Sequence, residues 1–310
     1  MGRTAFIFPG QGSQYIGMGK DFYEEFPVAR DIFQTASEAS GLDVAALCFE
    51  ENEQIHITEY TQIAMLTVET AILKVLEEAG MRPDAAAGLS LGEYAALAAA
   101  DVMDLKDLFY CVRKRGIFMQ EAVPTGGAMT AVLGLDSETI ARACEETEGM
   151  VSVANYNCPG QTVITGEEEA VNAAEGKLKT LGAKRCVPLK VSGPFHSPML
   201  AGAGEKLGKV LEKIALKEIA VPYLSNVTAD YVTDTAQIKE LLVKQVSNSV
   251  RWQQCVERMI ADGIDTFVEI GPGKSLSGFM RKINRDVTVI NIEKKEDLEK
   301  LLQETEKDGE

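Results

Sequence analysis

The sequence predicts an α/β protein with a parallel-sheet core and a smaller inserted subdomain, and three observations support this fold. Short segments rich in β-forming residues alternate with helix-forming segments along most of the 310 residues. A Gly-x-Ser-x-Gly sequence around Ser90 lies between a predicted strand and a predicted helix. The elements predicted between residues 126 and 192 follow the order βαββαβ, which differs from the alternation on either side.

The composition is that of a globular protein from a reducing compartment. Hydrophobic residues make up 45% and charged residues 25% of the chain, and its six cysteines show no CxxC spacing. The net charge of −16 argues against nucleic acid and anionic membranes as partners. There is no signal-peptide pattern and no apolar run near the roughly 20 residues of a membrane span, so we expect a cytoplasmic protein.

The first predicted elements are a strand over residues 4–8, a glycine-rich loop over 9–14, and helices over 17–40 and 59–80. The loop is not a dinucleotide-binding motif, because Gly-x-Gly-x-x-Gly would need glycine where Tyr15 stands. We therefore interpret it as a loop whose backbone N–H groups face a site.

The stretch around Ser90 is the clearest candidate site. Residues 84–87 give a weak strand signal and 93–100 an alanine-rich helix signal, with Gly88 and Gly92 in the turn between them. This order predicts a nucleophile elbow, in which glycine avoids collisions and the helix N-terminus faces developing negative charge. The alternative is a chance match in an ordinary strand–helix turn.

The inserted subdomain follows a helix predicted over residues 105–122. Its predicted elements are strand 128–133, helix 137–147, strands 151–155 and 161–165, helix 167–181 and strand 184–190. This is the ferredoxin-like order. We therefore divide the chain into a core over 1–125 and 193–295, an insert over 126–192 and a charged C-terminal tail over 296–310.

The core resumes with a loop over residues 192–198. Its further predicted elements are a helix to residue 214, a strand over 221–226, helices over 238–247 and 252–262, and strands over 266–270 and 287–292. The sequence Gly-Pro-Gly-Lys-Ser from residue 271 is not a P-loop, because Val268 stands where that motif needs glycine. From residue 294 onward the chain is highly charged, which predicts a solvated, frayed helix.

A serine nucleophile needs a base, and the chain has two histidines, His56 and His196. His56 precedes a helix and fits an ordinary surface residue. His196 lies in a loop bounded by glycine and proline, which would hold its side chain stiffly. We therefore expect His196 to be the base for Ser90.

Seven motifs along the chain belong together. They are FPGQGSQ at 8–14, GLSLGE at 88–93, RGxxMQ at 115–120, GGAM at 126–129, NYNCPGQ at 155–161, GPFHS at 193–197 and EIGPG at 269–273. With these motifs the chain resembles the malonyl-CoA:acyl carrier protein transacylase family as far as about residue 295. The family fold is a hydrolase-like α/β core with a ferredoxin-like insert, in agreement with the fold predicted above.

The resemblance implies an acyltransferase with a serine nucleophile. Ser90 would attack the malonyl thioester, and His196 would take the serine proton and return it to the leaving thiol. The backbone carbonyl of Gln245 would orient the histidine in place of a triad aspartate. The backbone N–H groups of Gln11 and Leu91 would form the oxyanion hole, where the loss of one donor costs about 3–4 kcal/mol.

The resemblance also implies substrate-binding residues. Arg115 would hold the malonyl carboxylate through two parallel hydrogen bonds, although its basic neighbours also fit a solvated helix charge. Phe195 would exclude a methyl branch on the acyl group, with plain core packing as the alternative. Gln62 and Asn157 are the remaining expected substrate-binding residues.

Two residues depart from the family pattern. Leu89 precedes the nucleophile where the family commonly has histidine, and Ile63 stands where it often has proline. Leu89 could alter packing under the elbow and the acyl preference. It leaves open the alternative that the protein is a free-standing acyltransferase that loads polyketide synthase carriers.

The implied partners are a coenzyme A thioester and an acyl carrier protein, and the implied enzyme is a monomer without metal or redox cofactor. Because the carrier is acidic like this chain, docking needs a local basic patch. Lys184 and Arg185 match docking positions, and further candidates are Lys274, Arg281, Lys282 and Arg285. Each fits a solvated surface equally well. A serine thioesterase and a non-catalytic carrier-binding protein are the alternatives from other classes.

Overall fold

A computed structural model describes residues 2–307 of the chain, with side chains as far as residue 303. The strands are β1 (Arg3–Phe8), β2 (Ala85–Gly88), β3 (Gly127–Leu133), β4 (Val151–Cys158), β5 (Gln161–Glu167), β6 (Arg185–Pro188), β7 (Ile264–Ile270) and β8 (Thr288–Ile292). The α-helices are α1 (Lys20–Glu25), α2 (Pro27–Ser40), α3 (Val44–Phe49), α4 (Thr58–Glu78), α5 (Gly92–Ala99), α6 (Leu105–Ala122), α7 (Ser137–Glu145), α8 (Glu168–Thr180), α9 (Ala201–Leu211), α10 (Ile238–Ser247), α11 (Trp252–Ala261), α12 (Ser275–Ile283) and α13 (Lys295–Lys307).

The core contains a parallel sheet with the strand order β2–β1–β7–β8. The central strand β1 is buried on both faces, which is why its sequence is a continuous apolar run. Phe6 and Phe8 pack into the cluster that contains α4 and α5, whereas Ala5 and Ile7 pack on the opposite face with α11 and α12. The predicted hydrolase-like, parallel-sheet core is confirmed.

The insert contains an antiparallel sheet with the strand order β4–β5–β3–β6, which is the ferredoxin-like arrangement. Helices α7 and α8 cover one face and bury an apolar cluster of their own. The insert is also tied to the core, because Tyr156 N–H donates to Val250 O (2.9 Å) and Val250 N–H donates to Ala154 O (2.8 Å). The domain boundaries at 125/126 and 192/193 stay a proposal, which the separate sheets support.

The helix predicted over residues 17–40 is two helices, α1 and α2, so that prediction is wrong in one respect. The break lies at Phe26, which is extended with φ −107° and ψ 122°. Pro27, the first residue of α2, causes it, because the residue before proline is forced out of the helical region.

The strand predicted over residues 221–226 is also not formed as such. Only isolated bridges are present, and this segment contacts β2 through Ala86 N–H to Pro222 O (2.8 Å) and Leu224 N–H to Ala86 O (3.0 Å). The chain then turns away from the sheet at Ser225, and Asn226 contacts the turn after β2.

Helices α3 and α12 were not predicted from the sequence. The C-terminal helix was predicted to be solvated, but part of it is buried. Helix α3 has six residues, and α12 has no side-chain cap of its own because Glu269 from β7 accepts its first N–H groups. In α13, Leu298 is 2% exposed and packs on the core cluster. The amphipathic pattern of its first turns therefore outweighs its high charge. Residues 308–310 lie outside the described part of the chain.

No helix within residues 2–307 is both long and apolar enough to cross a membrane.

Candidate active site

Ser90 lies in the sharp turn between β2 and α5, at the carboxyl end of the core sheet. Its backbone is left-handed with φ 55°, which is uncommon for a residue other than glycine. A Cβ on Gly88 would lie 1.9 Å from backbone atoms of Gly92, and a Cβ on Gly92 would lie 2.2 Å from the carbonyl oxygen of Phe8. Both glycines are therefore needed for the turn to pack, as the elbow prediction requires.

Ser90 is paired with His196. The Oγ of Ser90 lies 2.7 Å from Nε2 of His196, and Nδ1 of the same ring lies 2.8 Å from the backbone carbonyl oxygen of Gln245. A carbonyl can only accept, so Nδ1 carries the ring proton and Nε2 is free to accept from the serine hydroxyl. Gln245 is in the last turn of α10, where carbonyl groups lack helical partners.

The surroundings of His196 favour the neutral ring. Burial lowers the pKa of His196 to about 4, and the nearby positive charge of Arg115 acts in the same direction. The hydrogen bond to Gln245 opposes these effects but does not overcome them. At neutral pH the ring is therefore ready to accept a proton.

Arg115 projects from α6 into the same site and is 1% exposed. Its Nη1 donates to Oε1 of Gln62 (2.7 Å), and its Nη2 donates to Oε1 of Gln245 (3.0 Å) and to Oγ of Ser90 (3.3 Å). The guanidinium also lies over the ring of Tyr94, 5.3 Å from its centroid. This burial excludes the alternative of a solvated helix charge.

The two expected oxyanion donors border the site from different loops. Gln11 follows β1 and Leu91 follows Ser90, and both line the same cavity as Ser90. Neither backbone N–H has a hydrogen-bond acceptor among residues 2–307. Two unpaired N–H groups beside a nucleophile are what an oxyanion hole requires.

A cavity of about 240 Å³ opens above Ser90, between the core and the insert. Of the expected substrate-binding residues, Gln62, Asn157 and Phe195 line it, and each is at least nine-tenths buried. The Oδ1 of Asn157 is buried without a hydrogen-bond partner in the described structure. Leu89 lines the cavity as well, so its difference from the family pattern faces the space available to an acyl group.

Sequence reasoning missed part of the site beneath the elbow. The Nδ2 of Asn226 donates to Gly88 O and its Oδ1 accepts from Ser90 N–H, both at 2.7 Å. The Oε2 of Glu93 accepts from Nε2 of Gln245 (2.7 Å) and from Asn226 N–H (3.0 Å). The sequence does contain a signal for Glu93, because it is an acidic residue within an otherwise apolar helical segment. Asn226 gave none, because its partners lie 136 and 138 residues away in the chain.

Burial dominates the charge state of Glu93. It raises the pKa of this carboxyl group to about 7, against the hydrogen bonds from Asn226 and Gln245 and the positive charge of Arg115. The acid is therefore a weak counter-charge for Arg115.

The other sequence candidates lie outside this cavity. His56 is exposed, in agreement with its interpretation as a surface residue, and Ile63 is buried in α4. Lys184 and Arg185 are exposed at the start of the edge strand β6. Lys274 is exposed beside Ser275, which does line the cavity. Among the side chains that the structure describes, no group of three histidine, cysteine or acidic residues is arranged to bind a metal.

The chain is similar along nearly its whole length to a known family of proteins. Residues 5–299 match the family described as the acyl transferase domain. A malonyl CoA-acyl carrier protein transacylase from Bacillus subtilis is 46% identical over 308 residues, covering 98% of this chain and 97% of the relative. The crystal structure of a malonyl CoA-acyl carrier protein transacylase from Clostridium perfringens superposes with a TM-score of 0.95, at 43% identity and 98% coverage of both chains.

A further solved structure is a malonyl-transacylase in complex with a type II polyketide synthase acyl-carrier protein. It superposes with a TM-score of 0.94 at 41% identity and covers 97% of this chain and 99% of that one. The fold and the paired serine and histidine define an α/β protein with a hydrolase-like core and a nucleophile elbow. The chain belongs to the acyl transferase domain family.

Proposed function

We propose that the protein transfers the malonyl group of malonyl-CoA to the phosphopantetheine thiol of an acyl carrier protein through a malonyl-serine intermediate. The observation that carries the proposal is the position of Arg115, a buried guanidinium 3.3 Å from Oγ of the paired serine. The names of the relatives, all malonyl transacylases, support the same acyl group. The product would supply malonyl units for fatty acid elongation.

The first half-reaction acylates Ser90. His196 Nε2 takes the hydroxyl proton while Oγ attacks the thioester carbonyl carbon, and the oxygen that becomes negative is held by the N–H groups of Gln11 and Leu91. The C–S bond then breaks, and the imidazolium returns its proton to the coenzyme A thiolate. The second half-reaction runs in reverse, with the carrier thiol as the nucleophile and Ser90 as the leaving group.

Arg115 would select the acyl group. Its fork can bind a carboxylate through two parallel hydrogen bonds, and the oxygens that it contacts now are neutral and can be displaced. Phe195 is 7% exposed and lines the cavity, so its bulk would discriminate against a methyl branch by about 1–3 kcal/mol. Gln62 and Asn157 line the same cavity as Arg115, and we propose that they bind the substrate as well.

A thioesterase would use the same elbow but would admit water to the acyl-serine. The cavity wall here includes Met119, Met129, Val163, Leu189, Val191 and Phe279. Such an apolar wall disfavours water near the ester and favours transfer to a thiol that arrives on a carrier.

The carrier's identity has two candidates. A fatty acid synthesis carrier is favoured by the names of the relatives, and a polyketide synthase carrier is favoured by the neighbour solved with such a partner. We also propose Lys184 and Arg185 as docking residues, with Lys274, Arg281, Lys282 and Arg285 as further basic residues. We also propose that the enzyme is a monomer, lies in the cytoplasm and needs no metal or redox cofactor.

The test is transfer to a purified phosphopantetheinylated carrier, followed by the intact mass of that carrier. With malonyl-CoA and the wild-type protein, the carrier should gain one malonyl group. Ser90→Ala should abolish the gain. If the wild-type protein hydrolyses malonyl-CoA and leaves the carrier unmodified, the protein is a thioesterase and not a transferase.

A further inference from the structure

The side-chain amide of Asn226 binds the nucleophile turn at two points. Its Nδ2 donates to the carbonyl oxygen of Gly88, two residues before the nucleophile, and its Oδ1 accepts from the N–H of Ser90 itself. Both distances are 2.7 Å, and Asn226 is fully buried. One amide therefore satisfies two backbone groups that the sharp turn withdraws from regular pairing.

The turn needs such support because its backbone is strained. A non-glycine residue in the left-handed region costs about 1–3 kcal/mol and persists only where its neighbours hold it there. Ser90 has φ 55°. If the two hydrogen bonds were lost, the backbone of Ser90 could relax, and Oγ would leave its 2.7 Å contact with His196.

The same buried network reaches the other half of the catalytic pair. Glu93 accepts from the backbone N–H of Asn226 and from Nε2 of Gln245. That Nε2 also donates to the carbonyl oxygen of Ser90 (2.9 Å), and the backbone carbonyl of Gln245 holds His196. The serine turn and the histidine support are thus joined through Glu93.

We propose that Asn226 is a positioning residue for acyl transfer, which holds the backbone of Ser90 so that Oγ stays directed at His196. The inference rests on the proposed function, because the step it serves is attack of Ser90 on a thioester. Asn226 does not line the cavity above Ser90. It should therefore affect the rate of acylation and leave the binding of malonyl-CoA unchanged.

The experiment measures the rate of acylation and the affinity for malonyl-CoA separately in the Asn226→Ala variant. Rapid-quench mass spectrometry measures the rate of malonyl-Ser90 formation, and calorimetry measures malonyl-CoA affinity in a Ser90→Ala background. A displacement of about 1 Å at a reacting atom costs on the order of 100-fold, so acylation should slow by about that factor at unchanged affinity. Thr67→Val is the matched control, since it removes one buried hydrogen bond, Thr67 Oγ1 to Ile63 O (2.7 Å), outside the cavity.

Asn226→Asp keeps the test decisive if the alanine variant does not fold. The aspartate has the same shape and can still accept from Ser90 N–H, but it places an oxygen against the carbonyl of Gly88. It should fold and acylate more slowly than the wild type at unchanged affinity. Acylation within about threefold of the wild type in the folded variants, or a slowing matched by an equal loss of affinity, would overturn the inference. Absence of an adduct in the wild type would instead overturn the proposed function and this inference with it.

Discussion

At the scale of single residues, Arg115 is a buried cation whose hydrogen bonds all end on neutral oxygen atoms. They go to the side chains of Gln62, Gln245 and Ser90. Glu93 is only a weak counter-charge, because burial raises its pKa to about 7, and a buried charge that is weakly paired is costly. A malonyl carboxylate would supply the missing charge, whereas an acetyl group would not.

Arg115→Ala should therefore lower kcat/KM for malonyl transfer by roughly 10²- to 10³-fold, in keeping with about 3–4 kcal/mol for a buried charged pair. Acetyl transfer should fall far less. Both rates are measured with the same carrier. Lys114→Ala is the control, because this neighbour lies over the exposed ring of Tyr110 and not in the cavity. Equal losses for both acyl groups in Arg115→Ala would contradict the clamp.

His196 gives a prediction about pH. The base must be neutral to accept the serine proton, and its pKa is lowered to about 4 by burial and by Arg115. Deprotonation of His196 should therefore make kcat/KM for acylation rise with pH through about 4, with no histidine step near 6.5. Bound malonyl carboxylate would offset Arg115, so the acidic limb of kcat should lie at higher pH than that of kcat/KM. An acidic limb of kcat/KM near 6.5 would contradict this account.

The sequence predicts those site residues that belong to a recognisable local motif. Ser90, His196 and Arg115 belong to such motifs, and the structure brings all three within one hydrogen-bonded group. The sequence did not predict Asn226, because an asparagine at the end of a predicted strand carries no sign of the distant turn that it contacts. Long-range polar contacts of this kind depend on the whole fold.

At the scale of elements, the elbow depends on how closely β1, β2 and α5 approach one another. The missing side chains of Gly88 and Gly92 make room for the backbone of the turn and of β1. The strand before the turn is made of alanine, a weak β-former, yet it is fully buried and paired with β1. Packing between neighbours overrides its propensity.

Gly88→Ala should consequently abolish labelling of Ser90 and destabilise the protein, because its Cβ would overlap backbone that cannot move aside. Gly176→Ala is the matched control. Gly176 lies in α8 with nothing within 4 Å of the added Cβ, so that change should raise stability by about 0.5–1 kcal/mol. Melting temperatures and Ser90 labelling measure both effects. Normal labelling in Gly88→Ala would contradict the elbow packing.

Element boundaries were predictable where the local pattern decides them. Helices α6 and α10 were predicted with the observed ends. The interruption at Phe26 is also local in origin, because Pro27 restricts the backbone of the residue before it. The pairing of residues 221–226 was not predictable, because it depends on how this segment meets β2 and then leaves the sheet.

At the scale of the whole molecule, the net charge of −16 opposes association with an acidic carrier. The proposed docking residues Lys184 and Arg185 are exposed just before and at the start of the edge strand β6. Leu189, just beyond this strand, lines the cavity. A carrier seated on this edge would thus have its thiol arm near the cavity mouth.

Lys184→Glu and Arg185→Glu should each raise KM for the carrier at low salt, while acylation by malonyl-CoA stays unchanged. The effect should fade as salt is raised, since exposed charges are screened within about 3 Å at 1 M ionic strength. Arg82→Glu is the control, because Arg82 precedes β2 at the opposite end of the sheet from Ser90. An equal rise in KM for Arg82→Glu would show a net-charge effect and contradict docking at this edge.

The proposed mechanism requires a malonyl-serine that reacts with a carrier thiol in preference to water. Its most direct test is the intact mass of the protein after mixing with malonyl-CoA, acetyl-CoA or methylmalonyl-CoA, with and without phosphopantetheinylated carrier. We expect one malonyl adduct on Ser90 that persists without carrier and disappears when the carrier is added. An adduct lost to water without carrier, equal adducts from all three thioesters, or no adduct at all would contradict it.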